Sequence, residues 1–197
     1  MNEAHPRNIA MAEGFKLVAR SLDNESDRGS VVLAAAWLDE SLTRIITKFL
    51  KPNTTQNEKL LKVGQPIGDF GTRIIIADRL RLITPNLISS LVICRRLRND
   101  FAHLSSELSF ATPYVQDRVD RLFKLNEDLI VVMGQSLYKA GITIRAELAE
   151  ITAKDMLDAF GHKRLFSYTC GLINAGLALI EFDIRPCDPQ FNTESLD

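Results

Sequence analysis

Residues 30–50 place Val31, Ala35, Leu38, Leu42, Ile45 and Phe49 at steps of four, three, four, three and four. Only a helix, turning by about 100° per residue, gathers such positions into a single apolar stripe. A helix this long with one oily side must bury that side against neighbours. The rest of the chain is short of strand signals, so the neighbours are expected to be helices too.

Start and stop signals divide the chain. A first helix over residues 8–22 brings Ile9, Ala12, Phe15, Leu17 and Leu22 near one side, with Gly14 as its weak point. The polar turn from Asp23 to Gly29 follows, and Ser26 or Asp27 can cap the long helix. Lys51-Pro52-Asn53 ends that helix, because a residue preceding proline is pushed away from helical angles. A short helix over 56–63 is expected to stop at Gly64. A helix over 69–83 follows, with Asp69 as its cap. Thr84-Pro85 and Thr112-Pro113 repeat one start signal, a capping hydroxyl before a proline at the first helical position. They open helices over 85–104 and 113–126. The apolar run in 129–142 suits a helix or, through 129–133, a buried strand, and the lack of a pairing strand favours the helix. Helices over 145–160 and 163–181 are separated at Gly161, and Pro186 and Pro189 make an irregular tail from about residue 186. The expectation is all-α: one compact bundle of about seven to nine helices filling residues 1–197 as a single domain.

Lysine plus arginine (24) nearly cancel aspartate plus glutamate (25), for a net charge of -1. A repressor that grips DNA unaided normally shows a basic face, because phosphate neutralisation supplies most of its affinity. Cys94, Cys170 and Cys187 are odd in number and widely spaced, which argues against a disulfide framework and against a metal site. The first residues lack the apolar core of a signal peptide, and no run approaches the roughly 18 consecutive apolar residues of a membrane helix. A cytoplasmic protein with no cofactor, no metal and no membrane contact is expected.

Four places hold candidate chemistry. Cys94–His103 (CRRLRNDFAH) concentrates cationic and amide groups near the end of an apolar helix. Asn99 and His103 share a face, whereas Arg98 lies on the side of Leu91, Cys94 and Phe101 and therefore needs a partner. Asp39 and Glu40 supply carboxylates in the middle of the long helix. In one reading Asp39 forms a partly buried ion pair with Arg73, Arg95, Arg96 or Arg98 that sets helix register. In the other, Arg98 and His103 form an acid–base pair in a polar pocket. The first is favoured. Gly64–Ile76 holds three glycines, but neither GxGxxG nor GxxxxGK[ST], so a tight turn is expected rather than a phosphate loop. His162-Lys163-Arg164 reads as a solvated helix start. No HExxH pair or Ser-His-Asp set is present.

The segment Gly64–His103 resembles the central signature of the mannitol operon repressor family. The matching positions are Gly64, Phe70, Gly71, Arg73, Leu82, Ile83, Arg98, Asn99, Phe101, Ala102 and His103, with Trp37–Glu40 fitting the preceding helix. The likeness spans roughly residues 10–104, the remainder matching only in helical character. It implies an all-helical regulator of a sugar-alcohol uptake operon, in a family with no established DNA-reading element. Nor does the chain show a helix-turn-helix presenting polar side chains to a major groove. The expected partner is therefore a protein in transcription regulation, with no direct sequence-specific DNA binding, and a homodimer is compatible with this. Arg98, Asn99 and His103 also fit the arginine–four residues–histidine motif of HEPN domains, which include metal-independent ribonucleases. That likeness implies a phosphate-holding arginine and a proton-moving histidine. The polar cluster to locate is thus Asp39, Glu40, Arg73, Arg98, Asn99 and His103, catalytic only in the ribonuclease reading.

Overall fold

The computed structural model describes residues 5–52, 59–103, 108–142, 144, 147 and 150–187. Among them are seven helices: α1 (Pro6–Leu22), α2 (Asp27–Phe49), α3 (Phe70–Arg79), α4 (Pro85–His103), α5 (Pro113–Leu125), α6 (Glu127–Lys139) and α7 (Ala153–Asp183). No described residue lies in a strand, so the all-α expectation holds, and the run at 129–133 is helical. Every helix contributes to one continuous apolar core.

The caps act where the side chains allow. Ser26 Oγ accepts the Gly29 N–H at 3.0 Å, and α2 stops before Pro52. Both Thr-Pro signals open helices, at Pro85 and Pro113, but the Thr112 hydroxyl makes no cap bond and accepts the Ser109 N–H at 3.1 Å instead. α3 ends at Arg79, four residues earlier than expected. Leu82 N–H bonds to Ala77 O and Arg81 N–H to Asp78 O, with Arg81 at φ 55 in the position that usually takes glycine. This closure turns the chain and sets the start of α4.

Three expectations need correction. On α1 the inward positions are Phe15, Val18, Ala19 and Leu22, a cleaner helical stripe, while Ile9 and Leu17 are each 44% exposed. Gly14 is a contact rather than a weak point: a Cβ there would meet Ala178 Cβ at 3.0 Å. Residues 59–68 form successive turns, so no short helix reaches Gly64; residues 53–58 lie outside the described set. Of the helix expected over 145–160, the described part begins at Ala153, and residues 145, 146, 148 and 149 lie outside the described set. There Thr152 and Asp155 form a reciprocal capping box, while Ile144 and Ile151 bury their side chains without helical backbone. The hydrogen bonds from Thr152 hold the Asp155 carboxyl below its ordinary value.

α7 is the axis. It meets α1, α2, α5 and α6. It is also the one described helix long and apolar enough to cross a membrane, and 56% of that apolar window is buried inside the bundle. Leu165, Phe166, Cys170, Ile173 and Leu177 are wholly enclosed. Gly161, at φ 68 and ψ 167, kinks it where the sequence places a break. Small residues let α1 approach closely; a Cβ on Gly171 would press on the Phe15 ring at 2.9 Å. One buried amide joins three helices, since Asn174 accepts from Ser41 Oγ at 2.6 Å and donates to Gly14 O at 2.8 Å.

Phe166→Ala should reduce unfolding free energy by about 3–5 kcal/mol in a urea titration, the usual range for emptying an enclosed aromatic site. Burial, with the neighbouring Cys94 thiol adding, pushes the Cys170 thiol well above its ordinary range. Of the three thiols only Cys187 is exposed. An aromatic disulfide reagent should label Cys187 in the native chain and reach Cys94 and Cys170 only after denaturation.

Candidate functional site

The site begins with a cap. Asp69 Oδ1 accepts the Thr72 N–H at 3.0 Å, and its second oxygen takes the Thr72 hydroxyl. These two bonds hold the Asp69 carboxyl below its ordinary 3.8, with smaller help from the Gly71 N–H and the Arg95 guanidinium. The cap fixes the first turn of α3 and so the position of Arg73.

Arg73 is only 7% exposed. Its Nη1 donates to Asp39 Oδ1 at 2.6 Å, Nη2 to Leu61 O at 2.6 Å and Gly68 O at 3.1 Å, and Nε to Ile67 O at 3.1 Å. One guanidinium therefore binds α3 to α2 and gathers three carbonyls of the 59–68 turn. Asp39 chooses Arg73 from the four arginines that the sequence offered it.

The three glycines serve this clasp. Gly64 takes φ +80 to make the turn. A Cβ on Gly68 would fall on the Lys62 carbonyl, and one on Gly71 would come within 2.7 Å of the Arg95 guanidinium. Several of the turn's own N–H groups are occupied: Lys62 N–H bonds to Lys59 O, Gln65 N–H to Lys62 O, Ile67 N–H to Leu60 O and Gly68 N–H to Gln65 O. It presents carbonyls to a cation, the reverse of a phosphate cradle.

Glu40 stands apart from the clasp. It is exposed and reaches Arg44 Nη1 at 4.0 Å, while Arg44 Nε binds Glu181 Oε2 at 2.9 Å and ties α2 to α7. Arg98, half-buried, donates to Asn99 Oδ1 at 3.0 Å rather than to a carboxylate. His103 is exposed at the last position of α4, and no hydrogen bond joins it to Arg98 among the described residues. The expected cluster is therefore two places, a buried clasp at Arg73–Asp39 and a more open corner at Arg98–Asn99–His103.

That corner contains residues the sequence reading passed over. Tyr114 donates to Asp100 Oδ2 at 3.0 Å, and Arg118 pairs with the same oxygen at 3.6 Å. Arg118 also contacts the Tyr114 hydroxyl and lies 4.6 Å from its ring centre. The i, i+4 spacing of Tyr114 and Arg118 was the available signal. The basic trio at 162–164 is also not simply solvated. His162 Nε2 lies 3.2 Å from Asp120, Lys163 bonds to Glu25 O at 2.6 Å, and Arg164 reaches the Tyr168 hydroxyl at 3.0 Å. Among the described residues no group of three metal-ligating side chains exists.

Arg73→Met should cost about 3–5 kcal/mol in urea unfolding, because it strands a partly buried carboxylate and three carbonyls. Asp39→Asn should cost less, since the three carbonyl bonds remain. The Asp69 carboxyl is depressed in the fold, so its contribution is complete above the unfolded value near 3.8. It is lost as pH falls through the lower folded value. Asp69→Asn should accordingly flatten the acid limb of a stability–pH profile below about pH 4 and leave its neutral region parallel to wild type.

No protein-family model matches the sequence, and no curated protein matches it. Among solved structures, the fold is similar to that of a possible transcriptional regulator, YggD, from Shigella flexneri 2a str. 2457T. The TM-score is 0.59 at 14% sequence identity, over 83% of this chain and 98% of that one. At that identity the likeness is one of fold.

Proposed function

We propose that this chain is a cytoplasmic transcriptional regulator of a sugar-alcohol uptake operon of the mannitol type, acting through a protein partner, and that it works as a homodimer. The observation that carries the regulator reading is the shared fold, which extends over 98% of a possible transcriptional regulator. The mannitol-type assignment rests on the resemblance carried by residues 64–103. Its positions now have physical roles. Phe70, Ile83 and Phe101 are buried, Gly64 and Gly71 make room for the turn and for Arg95, Leu82 closes α3, and Arg73 forms the clasp. They are the residues that build this scaffold.

Two observations favour a partner over direct DNA reading. A recognition helix presents its first residues to base edges. The first ten residues of α4, Pro85–Cys94, contain no cation, and the arginines begin only at Arg95. The balanced total charge also leaves no general phosphate-binding surplus.

A second reading, a metal-independent ribonuclease, is favoured by one observation. His103 is exposed, with Asn99 one turn before it, so imidazole and amide are open to a substrate. Arg98 would then hold phosphate after leaving Asn99.

Gel-shift titrations at physiological salt should show the purified chain binding operator DNA no better than random DNA. Clear operator preference by the isolated chain would remove the partner-mediated version. A metal-free RNA cleavage assay should show no turnover by wild type or by His103→Ala at equal helicity. Turnover that disappears in His103→Ala would transfer the protein to the ribonuclease reading.

A further inference from the structure

We infer that the outer face of the α3–α4 hairpin is a docking surface for an acidic, amphipathic helical segment of a partner protein. This rests on the partner-mediated reading above and gives that partner a place and a chemistry.

Charge is the first observation. Residues 69–103, the hairpin with its cap, contain six arginines, no lysine and three carboxylates, Asp69, Asp78 and Asp100, in a chain whose total charge is -1, and Asp100 is already engaged by Tyr114 and Arg118. Arg73 is consumed by the clasp and Arg98 by Asn99. Arg79, Arg81 and Arg96 are exposed, and none has a carboxylate within 4.0 Å among the described residues. The carboxylate surplus lies elsewhere in the chain, so the hairpin is locally cationic.

The second observation is apolar. Ile75 is 61% exposed and Leu80 39%. Ile75 of α3 and Val92, Arg95 and Arg96 of α4 line one cleft of about 340 Å³, together with Asp69 and Thr72. Asp69 brings one negative charge to this lining, against the two guanidinium groups of Arg95 and Arg96. Arg79 follows Ile75 by one helical turn, extending the same side of α3. An apolar strip bounded by arginines asks for the complementary pattern, apolar positions flanked by carboxylates at helical spacing.

The same features select among occupants. A second copy in a symmetric pair would bring this cationic face against itself, which like charges oppose. A nucleic-acid backbone would satisfy the guanidinium groups but give Ile75 and Leu80 nothing apolar to bury against. Arginine without lysine is the bias of protein interfaces, where planar guanidinium groups lose less on desolvation. The cleft is small and the exposed Ile75, Leu80, Arg79 and Arg81 extend the surface beyond it, so the surface suits a segment laid along the hairpin rather than a small molecule enclosed by it.

The test uses the full chain and fluorescence anisotropy with a labelled amphipathic peptide of leucine and glutamate. Saturable binding is expected, weakened roughly tenfold or more by Arg79→Glu/Arg96→Glu and also by Ile75→Asp. All three side chains are exposed, so circular dichroism should be unchanged. A control pair on another surface, Lys59→Glu/Lys62→Glu, should bind as wild type. The charge-reversed variant should instead gain affinity for a leucine–lysine peptide. Equal binding by wild type and hairpin variants overturns the assignment, as does no saturation up to about 1 mM. So would tighter binding of random duplex DNA through the same arginines, or dimers that dissociate on Arg79→Glu/Arg96→Glu. An operon reporter separates this inference from the reading beneath it. Hairpin variants that still repress fully leave the regulator reading standing and remove this surface. Peptide binding with the expected variant losses, by a chain that never represses, leaves the surface standing and removes the regulator.

Discussion

The arrangement of α2, α3 and α4 depends on one enclosed guanidinium. A buried arginine is very costly unless its charge and its N–H groups are answered. Arg73 meets that demand with Asp39 on α2 and three carbonyls of the 59–68 turn. Those carbonyls belong to backbone with no regular secondary structure to satisfy them. The cation and the irregular turn thus solve each other's problem. The direction of α3 follows from this contact, and the closure at Ala77–Leu82 then passes that direction on to α4.

The other half of the molecule is organised around apolar closeness rather than charge. α1 lies against α7 because Gly14, Gly171 and Ala178 keep side-chain bulk out of the crossing. Asn174 supplies a buried polar link inside that contact, joining Ser41 and the Gly14 carbonyl, while Arg7 and Asp183 pair at its exposed end. Arg44 and Lys48 join α2 to the end of α7, through Glu181 and the carbonyls of Glu181 and Phe182. Among the described residues Arg73 is the one buried charged side chain. It lies within the cationic hairpin itself.

How much of this was legible in the residues follows the range of each cause. Local causes were readable: Asp69, Thr84-Pro85 and the stripe from Val31 to Ile45 act within a few residues of themselves. So was the break at Gly161. Causes that need a distant partner were not. Asp39 could be matched with four arginines, and nothing local distinguished Arg73 from Arg95, Arg96 or Arg98. The meeting of Asp100 with Tyr114 and Arg118 depends on how α5 packs against α4. On α1, Ile9 and Leu17 look as apolar as Val18, and only the approach of α7 decides which side is covered. A helix over 145–160 was expected from composition, yet the cap at Thr152 sets the start of α7 at Ala153, and Ile151 is buried ahead of it without helical backbone.

The union of α1 with α7 has a consequence for how the molecule is made. All-helical chains usually gather through neighbours in sequence and fold quickly. Here the bond from Asn174 to Gly14 spans 160 residues. During synthesis α1 leaves the ribosome long before the helix that covers it exists, and Phe15, Val18 and Leu22 wait uncovered while the intervening chain is translated. The bundle is then completed from its far end, its first helix the last to be enclosed. A slow or interrupted passage of the ribosome through the later helices would expose α1 to aggregation and proteolysis before the fold could protect it.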